Sequence, residues 1–282
     1  MLGKAGVDSP EVEAERLVMH VLHCQRADLY AAPERSLDQR QRKRFARLLA
    51  RRLTREPLQY ILGEVDFMGL TLSVSPAVLI PRPETETLVE RALEFCRHTF
   101  AAGTPLRCLD VGTGCGNIAA ALATYLPHSV VVAVDCSSAA LAVARANLGR
   151  LRLGQQVRLV HADLREQDFL QKVGCAFSLV MANLPYVPAP ALQALAPEVK
   201  DHEPLLALDG GPDGLDLYRV LIPLLPQLLS VGGAFFAEIG EGQGQEMRRL
   251  LARAGLVDIA VLPDLAGKER VVFARKGREE AQ

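Results

Sequence analysis

Short apolar runs of strand length alternate with helix-length patterns from residue 106 onward, and this alternation limits the possible folds more than any other feature of the chain. Strands that alternate with helices are typical of a sheet built mainly from parallel strands. The predicted strands are residues 106–111, 129–135, 157–161, 177–182, 234–239, 257–262 and 270–274. The predicted helices are residues 117–125, 138–148, 215–229 and 243–254. The sequence therefore predicts an α/β fold with a seven-stranded, doubly wound, Rossmann-like sheet. Its last strand should be antiparallel, because no helix separates the final pair.

The region before residue 84 has a different pattern. Apolar residues at helical spacing within residues 1–62, such as Leu17 and Val21, predict a small bundle of two or three short helices. Residues 63–83 alternate around a turn at Met68-Gly69, which predicts a β-hairpin, and Pro81 and Pro83 then stiffen the backbone. We therefore expect three parts: a helical substrate-docking domain over residues 1–62, a hairpin and proline-rich linker over 63–83, and the α/β domain over 84–282.

The composition excludes several classes of protein. Apolar residues make up 49% and charged residues 23%, as in ordinary globular proteins, and the net charge of −1 does not indicate a nucleic-acid or membrane partner. The six cysteines are scattered without a Cys-x-x-Cys pair, which favours reduced thiols and no metal site. The first ten residues have no features of a signal or transit peptide. We expect a cytoplasmic monomer with no metal, no membrane partner and no requirement for nucleic acid.

A glycine-rich segment, Asp110 to Gly116, follows the first predicted strand of the α/β domain. Such a turn lets a ligand approach the backbone closely and directs the N–H groups at the start of the next helix toward it. The glycines fall in the pattern D-x-G-x-G-x-G. A dinucleotide fold would need G-x-G-x-x-G, and Asn117 occupies the place of the third glycine in that pattern. The spacing therefore favours S-adenosylmethionine, with S-adenosylhomocysteine as the product, over a dinucleotide.

Acidic residues follow or end the first three strands of this domain. Asp110 can balance the cationic methionyl end of the cofactor, and Asp135 can accept both ribose hydroxyls. Asp163 and Leu164 are placed to flank the adenine. For each acid the alternative role is a cap or a solvated carboxylate. The predicted cofactor-binding residues are Asp110, Gly112, Thr113, Gly114, Cys115, Gly116, Asp135, Asp163, Leu164 and Asn183.

The strand at 177–182 is followed by Asn183-Leu184-Pro185-Tyr186, at the edge where open α/β sheets bind their ligands. The lone pair of an amide or aromatic NH2 group is delocalised, so its nitrogen is a poor nucleophile. Methyl transfer to this nitrogen therefore needs hydrogen-bond acceptors that hold the two NH2 hydrogens and align the nitrogen. Asn183 can offer its side-chain oxygen and Leu184 its backbone carbonyl, which Pro185 holds in an extended conformation. Tyr186 can pack its ring on a flat acceptor. These four residues are the predicted catalytic and substrate-binding set for methyl transfer; the alternative is an ordinary turn.

The chain resembles the protein-(glutamine-N5) methyltransferases that modify class 1 peptide chain release factors. Besides the two site motifs, the resemblance rests on Pro57 to Gly63, Val78 to Glu86, Glu203-Pro204, Asp209 to Gly211, Gly214 to Asp216 and Asp264 to Gly267. It implies an N-terminal helical bundle, a hairpin linker and a seven-stranded methyltransferase domain. It also implies methylation of the glutamine in the Gly-Gly-Gln motif of a release factor.

One position departs from that family, which usually has Asn-Pro-Pro-Tyr where Leu184 here replaces the first proline. The backbone carbonyl is retained, so the chemistry is expected to persist. The motif is also similar to that of ribosomal RNA adenine dimethyltransferases, so an N6-adenine methyltransferase acting on ribosomal RNA or DNA is the alternative. The proline-rich linker and the loop at 203–216 do not fit it. A non-catalytic protein of the same fold is a third interpretation, against which the intact motif argues.

Two further features have two interpretations each. The basic run from Arg40 to Arg47, continued by Arg51, Arg52 and Arg55, is either a solvated helix face or a docking patch for an acidic partner surface or ribosomal RNA. Glu238, at the end of the fifth strand, either caps a loop or supports the site.

Overall fold

The secondary-structure elements follow the predicted order within residues 1–31 and 34–277, which the computed structural model describes. The helices are α1 Pro10–Leu22, α2 Arg26–Ala31, α3 Gln39–Leu53, α4 Leu58–Leu62, α5 Pro83–Thr99, α6 Asn117–Tyr125, α7 Ser138–Arg150, α8 Phe169–Val173, α9 Pro197–Lys200, α10 Asp216–Leu221, α11 Leu225–Leu228 and α12 Gly244–Arg253. The strands are β1 Glu64–Phe67, β2 Leu70–Ser73, β3 Leu106–Val111, β4 Ser129–Asp135, β5 Val157–His161, β6 Phe177–Ala182, β7 Leu229–Glu238, β8 Leu256–Pro263 and β9 Glu269–Lys276. Short 3-10 helices cover Gly3–Ala5, Ala189–Ala194, Leu205–Ala207 and Ile222–Leu224.

The large sheet has the strand order β5-β4-β3-β6-β7-β9-β8. Strands β3 to β7 are parallel, and β9 is antiparallel to both of its neighbours. The predicted α/β class and the seven-stranded sheet with an antiparallel last strand are therefore confirmed. The strand order reverses between β3 and β6, and open α/β sheets bind ligands at the C-terminal ends of strands at such a reversal. The glycine-rich segment follows β3 and Asn183 follows β6, so both lie at this point.

Apolar side chains pack on both faces of the sheet. Along β6, Leu179 and Met181 belong to the cluster formed with α5, α6 and α7, whereas Val180 and Ala182 belong to the cluster formed with α8, α10 and α12. A strand buried on both faces has a continuous apolar sequence instead of alternation. This is the physical basis of the uninterrupted run that predicted β6.

The N-terminal helices and the hairpin are attached to this sheet by specific contacts. Helices α1, α3 and α4 enclose a separate small apolar cluster, which includes Leu17 and Leu48. The hairpin turns at Met68-Gly69, as predicted, because β1 pairs with β2 in that register. The Asn147 side chain on α7 accepts a hydrogen bond from the Ser73 amide at 2.7 Å and donates one to the Ser73 carbonyl at 3.0 Å. The hairpin therefore has a fixed position beside the glycine-rich segment.

Three predicted elements were wrong in extent. Residues 1–31 and 34–62 contain four α-helices instead of two or three, and the prediction was too low because α2 and α4 are too short to show helical periodicity. The helix predicted over 215–229 is divided into α10, a 3-10 turn and α11, since Pro223 and Pro226 lack the N–H that continues a helix. Strand β7 begins at Leu229, five residues before the prediction, because Gly232 and Gly233 weaken the strand pattern without ending the strand. No helix of residues 1–31 and 34–277 is long and apolar enough to cross a membrane.

Candidate active site

A cavity of about 580 Å³ lies at the C-terminal ends of the central strands, within the size range of small-molecule sites. We call residues 187–215 the covering segment. The wall of the cavity also includes part of this segment and the linker before α5. Ten of the predicted site residues line it: Gly112, Thr113, Gly114, Cys115, Asp135, Asp163, Leu164, Asn183, Leu184 and Pro185. Asp110, Gly116 and Tyr186 do not line it. The fold thus brings most of the two sequence motifs to one cavity.

The turn at Gly112 brings the two motifs into contact. Gly112 has a φ of +76°, in the region that favours glycine, and a Cβ there would lie 3.0 Å from Cδ2 of Leu184. Leu184 is buried and extends toward this turn. A side chain at position 112 would therefore separate the glycine-rich segment from the end of β6.

Asp110, the first residue of the glycine-rich segment, is fully buried beneath the glycines that follow it. Its Oδ2 accepts hydrogen bonds from the Thr113 hydroxyl at 2.6 Å and the Ala119 amide at 3.2 Å, while Oδ1 has no partner among the described residues. Burial raises the pKa of this carboxyl group to about 7. In this arrangement Asp110 fixes the segment and the start of α6 from behind.

Asp135 is one of the carboxylates that line the cavity. Its Oδ2 accepts the Gly114 amide at 2.9 Å and its Oδ1 accepts the Ser137 amide at 2.8 Å. Burial raises its pKa. A carboxylate has about four acceptor sites, so each oxygen can accept one more hydrogen bond, from a pair of hydroxyl groups for example. Asp163 differs, because its ion pair with Arg165, at 2.6 Å, lowers its pKa.

Asn183 is held at the end of β6 by the carboxylate of Glu238. The Asn183 Nδ2 lies 3.1 Å from both Glu238 Oε2 and Thr85 Oγ1, and the Thr85 hydroxyl donates to the same Oε2 at 2.6 Å. The Tyr186 hydroxyl donates to the other oxygen, Oε1, at 2.9 Å. The Tyr218 hydroxyl donates to the Glu238 backbone carbonyl and accepts from the Leu184 amide at 3.4 Å. The whole acceptor motif therefore rests on one buried acid.

The covering segment packs directly on the residues that follow the acceptor motif. Val187 accepts from the Gly210 amide at 2.9 Å, and its own amide donates to Leu208 at 3.0 Å. A Cβ at Gly214 would lie 2.1 Å from the Tyr186 carbonyl oxygen, so only glycine fits there. Arg82 of the linker pairs with Glu203, whose pKa burial raises. These contacts close one side of the cavity.

Comparison with known proteins places the chain in a family. Residues 1–63 match the model of the PrmC N-terminal domain, and residues 108–202 match that of a methyltransferase domain. A release factor glutamine methyltransferase of Geobacter sulfurreducens is 41% identical over 276 residues, which is 98% of this chain and 93% of that protein. The chain belongs to the release factor glutamine methyltransferase family. Another member, from Moorella thermoacetica, is 42% identical over 99% of this chain and 95% of its own length.

The fold of this methyltransferase also agrees with solved structures. A methyltransferase from Pyrococcus furiosus superposes with a TM-score of 0.54 at 18% identity, over 84% of this chain and 99% of that one. The resemblance noted from the sequence motifs is therefore confirmed at the level of the family and the fold.

The sequence analysis missed two side chains that this methyltransferase places beside Asn183. Thr85 belongs to the family-like range Val78 to Glu86 without a role of its own, and the sequence gives Glu238 two possible roles. A signal was present for Glu238, since an acid that directly follows the apolar run Ala234 to Ala237 at the end of a strand enters a buried environment. Thr85 gave no such signal, because its role depends on the packing of α5 against β7.

Proposed function

We propose that this methyltransferase transfers a methyl group from S-adenosylmethionine to the side-chain amide nitrogen, N5, of the glutamine in the Gly-Gly-Gln motif of class 1 release factors. The observation that carries the proposal is the location of Asn183 on the wall of the same cavity as the glycine-rich segment. Family membership supports the same substrate, since the relatives named above are release factor glutamine methyltransferases.

The residues of the cavity fit the proposed cofactor. Asp135 can accept ribose hydroxyls while it holds Gly114 and Ser137, and the buried Leu164 can contact a purine ring. When bound, S-adenosylmethionine supplies an electrophilic methyl group on a sulfonium. The glycine-rich segment would hold it through its backbone, with Asp110 supporting that segment from behind.

The acceptor motif would bind and orient the glutamine amide. Asn183 Oδ1 and the Leu184 carbonyl form no hydrogen bond within the described part of the chain, so both can accept one from the substrate NH2 group. Holding both hydrogens aligns the nitrogen and favours the transition state. No strong general base is required, because an amide nitrogen becomes acidic once it is methylated. Tyr186, held by Glu238, would pack beside the flat substrate group.

Incubation with radiolabelled cofactor tests the proposal, with release factor and ribosomal RNA in separate reactions. We expect label in the release factor, none in RNA, and none in a release factor whose Gly-Gly-Gln glutamine is replaced by alanine. Asn183→Ala should abolish transfer and leave cofactor affinity nearly unchanged. Label in RNA would instead support an adenine methyltransferase.

The division of the chain follows from the same proposal. Residues 1–62 would dock the substrate, 63–83 would join the parts, and 84–282 would carry the chemistry. We propose that the protein acts in the cytoplasm as a monomer and needs no nucleic acid.

A further inference from the structure

Asn183 and Glu238 are neighbours because of the register of two parallel strands. Ala182 on β6 pairs with Ala237 on β7, and the next residue on each strand is Asn183 and Glu238. Both side chains therefore point to the face of the sheet that α5 covers. Thr85, in the first turn of α5, reaches both of them. Side chains from β7 and α5 thus meet the Asn183 amide at the end of β6.

The Glu238 carboxylate is 1% exposed and is satisfied by three donors: Thr85, Tyr186 and Asn183. Burial raises the pKa of Glu238, whereas hydrogen bonds from Thr85 and Tyr186 and the nearby charge of Arg270 lower it. In the ionised form, which these three groups favour, the carboxylate accepts hydrogen bonds and donates none. The side of the Asn183 amide that faces it must therefore be the NH2 group. Since Glu238 Oε2 and Thr85 Oγ1 are only 2.6 Å apart and equally distant from Nδ2, one N–H can be shared between them.

This geometry has a consequence for the other end of the amide. With Nδ2 committed to Glu238 and Thr85, Oδ1 is directed away from them, and Asn183 lines the cavity. A flipped amide would offer N–H groups to a substrate nitrogen that itself carries N–H groups. Two donors facing each other cannot bind, so the flipped form would be unproductive.

We propose that Glu238 and Thr85 are positioning residues that fix the Asn183 amide with its oxygen available to the substrate, and thereby make the site selective for a nitrogen that carries hydrogen. The inference rests on the proposed function, because it assigns Asn183 Oδ1 to the substrate amide. Thr85 lies on the cavity wall and Glu238 does not line it; both hold the amide group of Asn183.

The decisive variant is Glu238→Gln, which has the same shape and no charge. The glutamine NH2 group can donate to Asn183 Oδ1, so the flipped amide becomes competitive. We expect kcat to fall about 100-fold, the scale of a misplaced reacting group. KM for the release factor and affinity for S-adenosylhomocysteine should change less than about twofold, because neither ligand contacts position 238.

Two further kinetic results separate orientation from damage to the fold. Thr85→Val should lower kcat and Thr85→Ser should restore it, because serine keeps the hydroxyl. Ser129→Ala serves as the matched control, since this buried hydroxyl lies at the opposite end of the strands and has no hydrogen-bond partner among the residues that the structure describes.

Nuclear magnetic resonance gives a readout that does not depend on activity. The chain has three asparagines, Asn117, Asn147 and Asn183, so protein labelled with ¹⁵N only at asparagine yields three side-chain NH2 signals. Asn183→Ala identifies its own pair. In Glu238→Gln the NH2 signals of Asn183 should change chemical shift, and its NH2 hydrogens should exchange faster with water. The signals of Asn117 and Asn147 should stay in place. Thr85→Val should also change the chemical shifts of the Asn183 signals.

The outcomes distinguish this inference from the proposed function. An unchanged kcat in Glu238→Gln, or an unchanged Asn183 signal, would overturn the positioning role even if the parent enzyme methylates release factors. If the parent enzyme fails to label release factors, the proposed function fails, whereas the amide signals still report the orientation. If Glu238→Gln does not fold, the Thr85 variants decide by the same measurements.

Discussion

Arg52 and Glu198, which are 146 positions apart in the sequence, form an ion pair with 3.0 Å between Nη2 and Oε1. Arg52 also pairs with Glu13 on α1, and Arg55 pairs with the second oxygen of Glu198 at 2.6 Å. Glu198 lies on α9 within the covering segment. Part of the basic run at 40–55 therefore attaches the N-terminal helices to the covering segment.

This attachment should contribute to stability, because the Arg52 side chain is only 4% exposed. Arg52→Ala leaves Glu13 without its partner and Glu198 with only Arg55, and it should lower the free energy of unfolding by about 3 kcal/mol. Glu246→Gln is the matched control, since its exposed pair with Arg249 contributes about 1 kcal/mol or less. Urea denaturation measures both. Equal losses of unfolding free energy in the two variants would show that the buried ion pair contributes no more to stability than a surface pair.

The remaining part of the basic run should assist docking. Arg42 and Arg47 on α3 are exposed. Their charge reversal to glutamate should slow association with an intact release factor, with an effect that decreases in salt. A short Gly-Gly-Gln peptide should react equally well with parent and variant. Reversal of Arg249 and Arg253 on α12 is the control. Equal slowing by both pairs, or slowing with the peptide, would contradict a docking role for α3.

Leu184→Pro should retain methyl transfer. In the proposed function, residue 184 contributes only its backbone carbonyl to substrate binding. Among the described residues, its amide donates one long hydrogen bond, of 3.4 Å, to Tyr218. Loss of buried side-chain volume should lower the free energy of unfolding by about 1–2 kcal/mol. Steady-state kinetics and denaturation measure the two effects. A folded but inactive variant would show that the leucine side chain itself shapes the pocket.

Asp135→Ala should weaken binding of S-adenosylhomocysteine by about 1.5–3 kcal/mol, because hydrogen bonds to a charged group are lost. Asp163→Ala is the comparison, and its effect should be smaller since Asp163 is already paired with Arg165. Titration calorimetry reports both affinities. Unchanged affinity in Asp135→Ala would place the ribose elsewhere.

Asp110 should make stability depend on pH. Burial raises its pKa from 3.8 to about 7, so the charged form is disfavoured in the folded state. Its contribution to stability is therefore fully present below pH 3.8 and is lost as the pH rises through about 7. The loss is at most about 4 kcal/mol. Asp110→Asn can keep the acceptor for Thr113 without the charge.

The difference in free energy of unfolding between Asp110→Asn and the parent, without cofactor, should grow in favour of the variant from pH 5 to pH 8. Denaturation at several pH values measures this difference, in which the contributions of other acids cancel. A constant difference would show that Asp110 does not titrate in this range.

Local sequence was sufficient for the central strands. The bounds of β3, β4, β5 and β6 agree with the predictions, because each is a buried apolar run that ends at a polar or glycine-containing turn. The helix α6 was also predicted with the correct bounds, since the Gly116-Asn117 turn marks its start. The prediction was less accurate for β7 and for residues 215–229, where glycine and proline obscure the pattern.

The sequence alone determined the fold class, the glycine-rich segment and the acceptor motif, because these depend on neighbouring residues and on hydrophobic periodicity. Tertiary structure alone decided that Glu238 and Thr85 hold Asn183, that Arg52 pairs with Glu198, and that Asp110 lies behind the cavity instead of in its wall. The partners in these contacts come from different elements. Which elements become neighbours is set by the strand order and by helix packing, and no local pattern encodes that arrangement.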